Sequence, residues 1–324
     1  MTEYTITKND AGQRADRFAA RVEKHLAAHQ IQTLFRKKEI KINGRPIKPD
    51  TRLTEGDILR IYLPAAWLRR AEEARAAPVA PHPLPEIVYE DEHMLILWKP
   101  AGWLSQTAEG QSGHCLESAL RYYLYQTKAW SPETENAFVP SLCHRLDRGT
   151  EGLVMAAKTA EALRILTEKI KNHEIQKTYH CVVHGKPFPA AARLEDSLWK
   201  DAAKGRVFVR SAHTPGAKTA ILEYRTLKTT GALSLLEVQL HTGRTHQIRV
   251  QLSSRGWPLL GDGKYGSLEK DKPYKPAHQA LAAVALVFRF TSPAGVLDGL
   301  NGRRFCRPAG FLQEASPLLS PLSL

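Results

Sequence analysis

Asp147 lies between two arginines in the run His144-Arg145-Leu146-Asp147-Arg148-Gly149-Thr150-Glu151-Gly152. Nearby guanidinium charge favours an ionised carboxylate. An ionised Asp at a strand-to-loop transition is able to act as a nucleophile. On these nine residues alone a simpler account stands beside it, an Asp that caps a loop and pairs with an arginine. Two downstream segments bear on the choice. In Lys177-Thr178-Tyr179-His180-Cys181-Val182-Val183, alternation puts Lys177, Tyr179, Cys181 and Val183 on one face of a strand. Tyr179 there either stacks on a nucleobase or belongs to the core. From Leu240 to Leu252, a strand end passes through a glycine-containing turn into a helix, with Thr245 as its expected N-cap and Ile248 and Leu252 on one face. Arg249 adjoins that face and is placed to meet a buried anion. Asp147 is the obvious partner, since either charge buried alone costs several kcal/mol. Arg244 and His246, in or near the turn, suit phosphate or helix-terminus contacts. The loop from Gly256 to Asp262, followed by Lys264-Tyr265-Gly266, is expected to shape the site without doing chemistry.

The elements that must position these residues are partly visible. Residues 1–64 read as a small unit: Ala15, Phe18, Ala19 and Val22 recur at helical spacing, as do Ile31, Leu34 and Phe35. Glu39 to Arg45 alternates into an Asn43-Gly44 turn, and Gly56 to Tyr62 forms a further strand. Two short helices and a small hairpin sheet are the simplest assembly. Arg36, Lys37, Lys38, Lys41, Arg45 and Lys48 cluster on the second helix and the hairpin, either as a solvated face or as an RNA contact. Residues 65–86 read as a helical and then Pro-rich linker, a semi-rigid spacer. From 87 to 292 we expect one large domain of mixed strands and helices. Ile87 to Trp98 gives strand, turn and strand, ending in Lys99-Pro100-Ala101-Gly102. A helix is predicted over Thr159–Asn172 with Thr159 as N-cap, and strands over 174–183 and 235–240. Residues 293–324 form a C-terminal extension with Arg303, Arg304 and Arg307, either an accessory RNA contact or a loose end.

Composition narrows the class of partner. The 324 residues carry a formal charge of +13 with a pI near 9.6, which points to a polyanion, nucleic acid before membrane. No apolar run is long enough to span a bilayer, and the N-terminus lacks a signal-peptide pattern, so a cytoplasmic protein is expected. Cys115, Cys143, Cys181 and Cys306 are far apart and show no zinc-ligand spacing, so reduced thiols are expected and no metal site.

Two resemblances follow from these motifs. Arg14-Ala15-Asp16-Arg17-Phe18, Phe35-Arg36-Lys37-Lys38, Lys41-Ile42-Asn43-Gly44 and Gly56-Asp57 resemble the S-four-like RNA-binding module. The nine residues around Asp147 resemble the catalytic motif of the RluA-type pseudouridine synthases. Lys99-Pro100-x-Gly102, Lys177-x-Tyr179 with Gly185, Thr242–Leu252 and Gly256-x-Pro258-Leu259-Leu260-Gly261-Asp262 match its other motifs in order. Gly149 and Glu151 stand where the family more often has Asp and Ser or Thr, and Trp98 stands where Asn is common. Glu151 adds negative charge near Asp147.

The resemblance implies an α+β pseudouridine synthase fold, a mixed and largely antiparallel central sheet flanked by helices and loops, preceded by the small α/β module. It implies isomerisation of uridine in RNA without cofactor or metal. Asp147 would be the nucleophile, Tyr179 would pack on the uracil and Arg249 would hold Asp147 ionised, with Leu252 in the pocket. Arg145 would fill the gap left by a flipped nucleotide. Arg148, Arg244, His246 and Lys99 would join the basic residues of the small module in holding RNA. Whether Asp147 attacks C1′ or C6, or acts as a base, stays open. The expected partner is structured RNA, ribosomal before transfer RNA, bound by a monomer. A non-catalytic RNA-binding or ribosome-assembly factor would use the same basic surface. A glycoside hydrolase would need a second carboxylate, for which only Glu151 is near in sequence.

Overall fold

The computed structural model describes residues 1–64, Trp67, 82–107, 113–313 and Leu322. Most of the linker predicted over 65–86 lies outside the described residues.

The N-terminal unit folds as its periodicity dictates. Helices α1 (Ala15–Val22) and α2 (Ala28–Arg36) bury Ala15, Phe18 and Ala19, and Ile31, Leu34 and Phe35. These join Ile40, Leu59 and Ile61 in one core over a sheet of β1 (Thr2–Thr5), β2 (Ile40–Ile42), β3 (Arg45–Pro46) and β4 (Ile58–Ile61), in the order β1-β4-β2-β3. Asn43 and Gly44 are both left-handed, at φ 50° and 83°, as a two-residue hairpin between β2 and β3 requires. Strand β1 has no clear signature in the sequence; its pairing with β4 creates it. The unit is seated on the rest of the chain by polar contacts. Asn9 donates to Glu135 (2.6 Å) and accepts from the Ala160 N–H (3.0 Å), while Asn136 donates to the Thr5 carbonyl (2.6 Å) and to Asp10 (2.8 Å).

The large domain is built on eleven strands among the described residues. These are β5 (Ile87–Glu90), β6 (Met94–Lys99), β7 (Ser141–Leu142), β8 (Glu151–Ala157), β9 (Ile175–His184), β10 (Ala191–Asp201), β11 (Arg206–Arg210), β12 (Lys218–Thr230), β13 (Leu233–Leu240), β14 (Leu281–Phe288) and β15 (Arg304–Cys306). The order β11-β10-β12-β13-β9-β14-β8-β6-β5 is antiparallel except between β14 and β8. This is the mixed, largely antiparallel α+β architecture expected.

Strands β6, β8 and β14 are near-continuous apolar runs because they are covered on both faces. On one face Met94, Ile96, Leu153, Met155, Ala282 and Leu286 pack beneath helix α4 (Ala160–Lys171). On the other, Leu95, Leu97, Val154, Ala156 and Leu281 pack with α3 (Leu116–Gln126) and α5 (Gln247–Ser253). Thr159 caps α4 by accepting the Ala162 N–H. The cap expected at Thr245 is not formed. His246 takes the N-cap position of α5 in the left-handed conformation, and the Gln247 side chain accepts the Arg244 N–H and the Thr242 hydroxyl instead.

Residues 294–312 are neither loose nor separate. Strand β15 pairs with β14, and Leu297, Leu300, Ala309 and Leu312 complete the α4-side core, so the boundary expected after residue 292 does not divide the packing. Arg303 lies over the Tyr89 and Phe305 rings, and Arg307 pairs with Glu86 and lies over Trp98.

Gly152 sits where β8 meets β14, at φ 128°, and a Cβ there would stand 2.4 Å from the Ala283 nitrogen. Gly152→Ala should therefore cost roughly 2–4 kcal/mol of stability, read as a lower denaturation midpoint in urea. A midpoint unchanged from wild type would contradict that packing.

Candidate active site

The run around Asp147 is a loop between β7 and β8, pinned from both sides. Lys99 ends β6 fully buried, and its ammonium donates to the carbonyls of Pro100 (3.0 Å), Arg148 (3.2 Å) and Thr150 (2.7 Å). Burial pulls the Lys99 pKa down to about 7, although Asp147 and Glu151 oppose the shift. Three carbonyl partners match the three donors of the charged form, so we take Lys99 as an ammonium here. The RNA contact expected of Lys99 is thus excluded by burial; it holds the loop backbone. Ser105 clasps the same loop, donating to the Leu146 carbonyl (2.8 Å) and accepting the Leu146 N–H (3.1 Å). Gly149 lies against Gln279: a Cβ there would stand 2.9 Å from the Gln279 Oε1, and the Gln279 amide donates to Thr150.

Arg249, from α5, meets Asp147 as expected: Nη1 donates to Oδ2 at 2.7 Å. Its other donors go to a residue not foreseen as functional, Asp262. Nε and Nη2 form a two-pronged pair with that carboxylate at 2.7 and 2.8 Å. Asp262 Oδ1 also accepts the N–H groups of Lys264 (2.9 Å) and Tyr265 (3.0 Å). Burial opposes charge on Asp262, but Arg249 and these two N–H groups outweigh it and lower its pKa. For Arg249 burial likewise opposes charge, and the two carboxylates hold the pKa above its ordinary value. The loop expected only to shape the site therefore supplies the anchor of its arginine. The available signal was one carboxylate in an otherwise apolar, glycine-rich loop.

Asp147 keeps 27% of its side chain exposed while Arg249 and Asp262 are buried. It opens on a cavity of about 990 Å³ that Tyr179, Arg145, Arg148, Arg244 and His246 also line. Tyr179 is buried on β9, and burial together with the Asp147 charge raises its pKa, keeping the phenol protonated. His246 stands 3.9 Å from Asp147 and bonds Tyr265 through Nδ1 (2.8 Å); burial lowers its pKa, with Asp147 acting in the opposite sense. Arg145, Arg148 and Arg244 are exposed at the rim.

Leu252 is not among the residues that line the cavity; it is fully buried in the same core as Tyr179 and Ile248. Glu151 is turned to the C-terminal segment, where it accepts the Phe311 N–H at 3.2 Å. Cys143, beside the motif, has its thiol pushed up to about 12 by burial. Among the described residues the four cysteines are free. The basic residues of the small unit lie away from this cavity. Arg36 and Lys38 line a separate groove with His29, Phe35 and Lys48, Lys37 and Arg45 are exposed, and Lys41 lies over the Tyr62 ring.

A model of the RNA pseudouridylate synthase family matches residues 93–254, half of the chain, and spans Asp147, Tyr179 and Arg249. The chain belongs to this family. A ribosomal large subunit pseudouridine synthase C of Escherichia coli is 32% identical over 298 residues, covering 89% of this chain and 88% of the relative. A protein of Chlorobaculum parvum named an uncharacterized RNA pseudouridine synthase is 30% identical over 300 residues, 88% of each chain. Among solved structures, human RNA pseudouridylate synthase domain containing 1 shares the fold with a TM-score of 0.56 at 20% identity, over 71% of this chain and 86% of that one. The protein is thus an isomerase that converts uridine to pseudouridine in RNA. No helix among the described residues of this synthase is long and apolar enough to cross a membrane.

Asp262→Asn removes the charge that balances Arg249, and breaking a buried pair of this kind costs about 3 kcal/mol. Because the folded-state pKa of Asp262 lies below its unfolded value, its contribution is complete at neutral pH and is lost as pH falls below roughly 4. The variant should therefore be less stable than wild type at pH 7 and converge on it toward pH 3 in urea titrations. A constant difference across that range would contradict the assignment.

Proposed function

We propose that this synthase isomerises uridine in large-subunit ribosomal RNA, with Asp147 as the nucleophile that assists cleavage of the N-glycosidic bond. The observation that carries the reading is Asp147 itself: a carboxylate ion-paired to a buried arginine, open to a cavity and walled by a buried tyrosine. A uridine in structured RNA must leave its stack before C1′ and C6 can be reached. In this reading Arg145, exposed at the rim, occupies the vacated position, and Tyr179 packs on the extruded base. The detached base turns and rejoins C1′ through C5, a rearrangement that demands positioning and exclusion of water. Arg249 keeps Asp147 ionised and aimed. Arg148, Arg244 and His246 hold the RNA backbone around the flipped nucleotide.

The N-terminal unit, residues 1–64, is assigned as an S-four-like RNA-binding domain. Its support is the exposed cluster of Arg36, Lys37, Lys38 and Arg45 with Lys41 on one helix end and hairpin, beside a groove floored by Phe35 and Ile47. The large-subunit substrate is supported by similarity to the synthase of Escherichia coli, whose length is matched almost throughout. Transfer RNA is the second candidate. The enzyme is assigned as a cytoplasmic monomer, in keeping with its basic charge and unpaired cysteines.

Pseudouridine mapping of total RNA from cells with and without the gene tests the reading. A site in large-subunit RNA should vanish on deletion, return with the wild-type gene and stay absent with Asp147→Ala. A map unchanged by deletion, or restored by the variant, would sink the assignment. For the small domain, Arg36, Lys37 and Lys38 changed together to Ala should weaken binding to large-subunit RNA and flatten its salt dependence by about 2 to 3 in log–log slope. An unaltered slope would remove these residues from the RNA contact.

A further inference from the structure

Two lysines of the large domain are buried and obey the rule that a buried ammonium finds partners, and a third, Lys177, is half-buried on the wall of the cavity. Lys99 has its three carbonyls, and Lys169 donates to Glu174 (2.8 Å) and to Ser292. Lys177 does not. Among the described residues it has no carboxylate within ion-pair distance and no hydrogen-bond acceptor. It lines the same cavity as Asp147. Strand alternation sets it on the face of Tyr179, two residues along β9, about 7 Å away by strand rise.

No protein group around this amine supplies the missing negative charge. Cys143 is kept as a thiol by burial. His144 is kept neutral, its pKa pushed well below the usual range by burial and then by Lys177, and its Nε2 accepts the Met155 N–H. Tyr179 stays protonated, and Asp147 is engaged by Arg249. His173 and His246 also face the cavity and bring no negative charge. The partner must therefore arrive with the substrate. RNA offers phosphates, but those are met at the rim by exposed Arg145, Arg148 and Arg244. Inside, beside the tyrosine assigned to pack on the flipped base, the remaining acceptors are the uracil carbonyl oxygens.

We propose that Lys177 binds the carbonyl edge of the flipped uracil and stabilises the negative charge that the base acquires as its glycosidic bond breaks. This rests on the reading of Asp147 and Tyr179 given above. When C1′–N1 breaks, its electron pair stays on N1 and spreads to O2 and O4, and Lys177 donates a hydrogen bond to that edge without losing its proton. The electron deficiency at C1′ faces Asp147. After the base turns, C5 donates the pair for the new bond to C1′, the C5 proton leaves to water and N1 takes up a proton. A preorganised cation aimed at developing charge in a water-poor pocket is an effective form of catalysis. Burial lowers the Lys177 pKa to about 8, so the amine is charged at neutral pH and loses its charge above that value.

The test uses full-length enzyme and total RNA labelled with tritium at uracil C5, taken from cells lacking the gene, with tritium release as the readout. Wild type sets the rate and Asp147→Asn the zero. Lys177→Met should lower kcat roughly 10²- to 10³-fold with KM for RNA within about threefold. Lys177→Arg should stay within about tenfold of wild type and lose the alkaline fall in rate near pH 8, because a guanidinium remains charged there. Retained kcat in Lys177→Met, a defect confined to KM, or an alkaline limb unmoved in Lys177→Arg would each overturn the proposal. Should Lys177→Met fail to fold by circular dichroism, the Lys177→Arg pH profile decides alone. No turnover by wild type would instead overturn the assigned reaction, and the role of Lys177 with it.

Discussion

One guanidinium shared by two carboxylates organises this site. Arg249 spends two donors on Asp262 and one on Asp147, so two anions are balanced by a single cation. For stability alone, a neutral pair would be preferable, because each buried charge loses several kcal/mol of hydration. The asymmetry has a physical consequence. Asp262 is wholly buried and also bonded to two backbone N–H groups, which makes it the anchor. Asp147 is tied through Oδ2 and partly exposed, which leaves its carboxylate open to the cavity. Exchanging the two environments would seal the Asp147 carboxylate in the core and away from the cavity.

That arrangement depends on parts distant in sequence arriving within a hydrogen-bond length of one another. Asp147 precedes β8, Arg249 lies in α5 after β13, and Asp262 lies in the loop before β14. The sheet that carries them is apolar on both faces at its centre, so its strands have little freedom to slide. The loop itself cannot rely on packing, being polar and bent. Lys99 and Ser105 fix it by bonding backbone atoms on both sides of Asp147, which holds its Cα and leaves its side chain to Arg249 and the cavity.

The local periodicities were legible in the sequence. Helix α4 with its Thr159 cap, the Asn43-Gly44 hairpin and the alternation that puts Tyr179 and Lys177 on one face all follow from spacing. So did the approach of Arg249 to Asp147, because a buried arginine needs an anion. Its second anion was hidden, since Asp262 acquires its role only when a loop folds back on α5. Lys99 misled for a related reason. Its charge suggested solvent or RNA, whereas three carbonyls converging from separate segments make burial possible. His246 and the C-terminal segment show the same limit. A left-handed N-cap without a capping side chain, and a final strand defined by its pairing with β14, are set by tertiary context that no local pattern encodes.

Glu151 illustrates how a departure within a motif is absorbed. Beside Asp147 in sequence, it threatened to add a third negative charge to the site. Strand geometry turns it elsewhere: it starts β8, and its carboxylate accepts the Phe311 N–H. A Cβ at Gly310 would lie 2.7 Å from Glu151 Oε2, so the C-terminal backbone has moved in against this carboxylate as closely as glycine permits. The acidic residue thus ties the backbone at Phe311 to the start of the strand that follows the Asp147 loop. Removing residues 294–312 from such an arrangement would expose the apolar face that Leu297, Leu300, Ala309 and Leu312 cover.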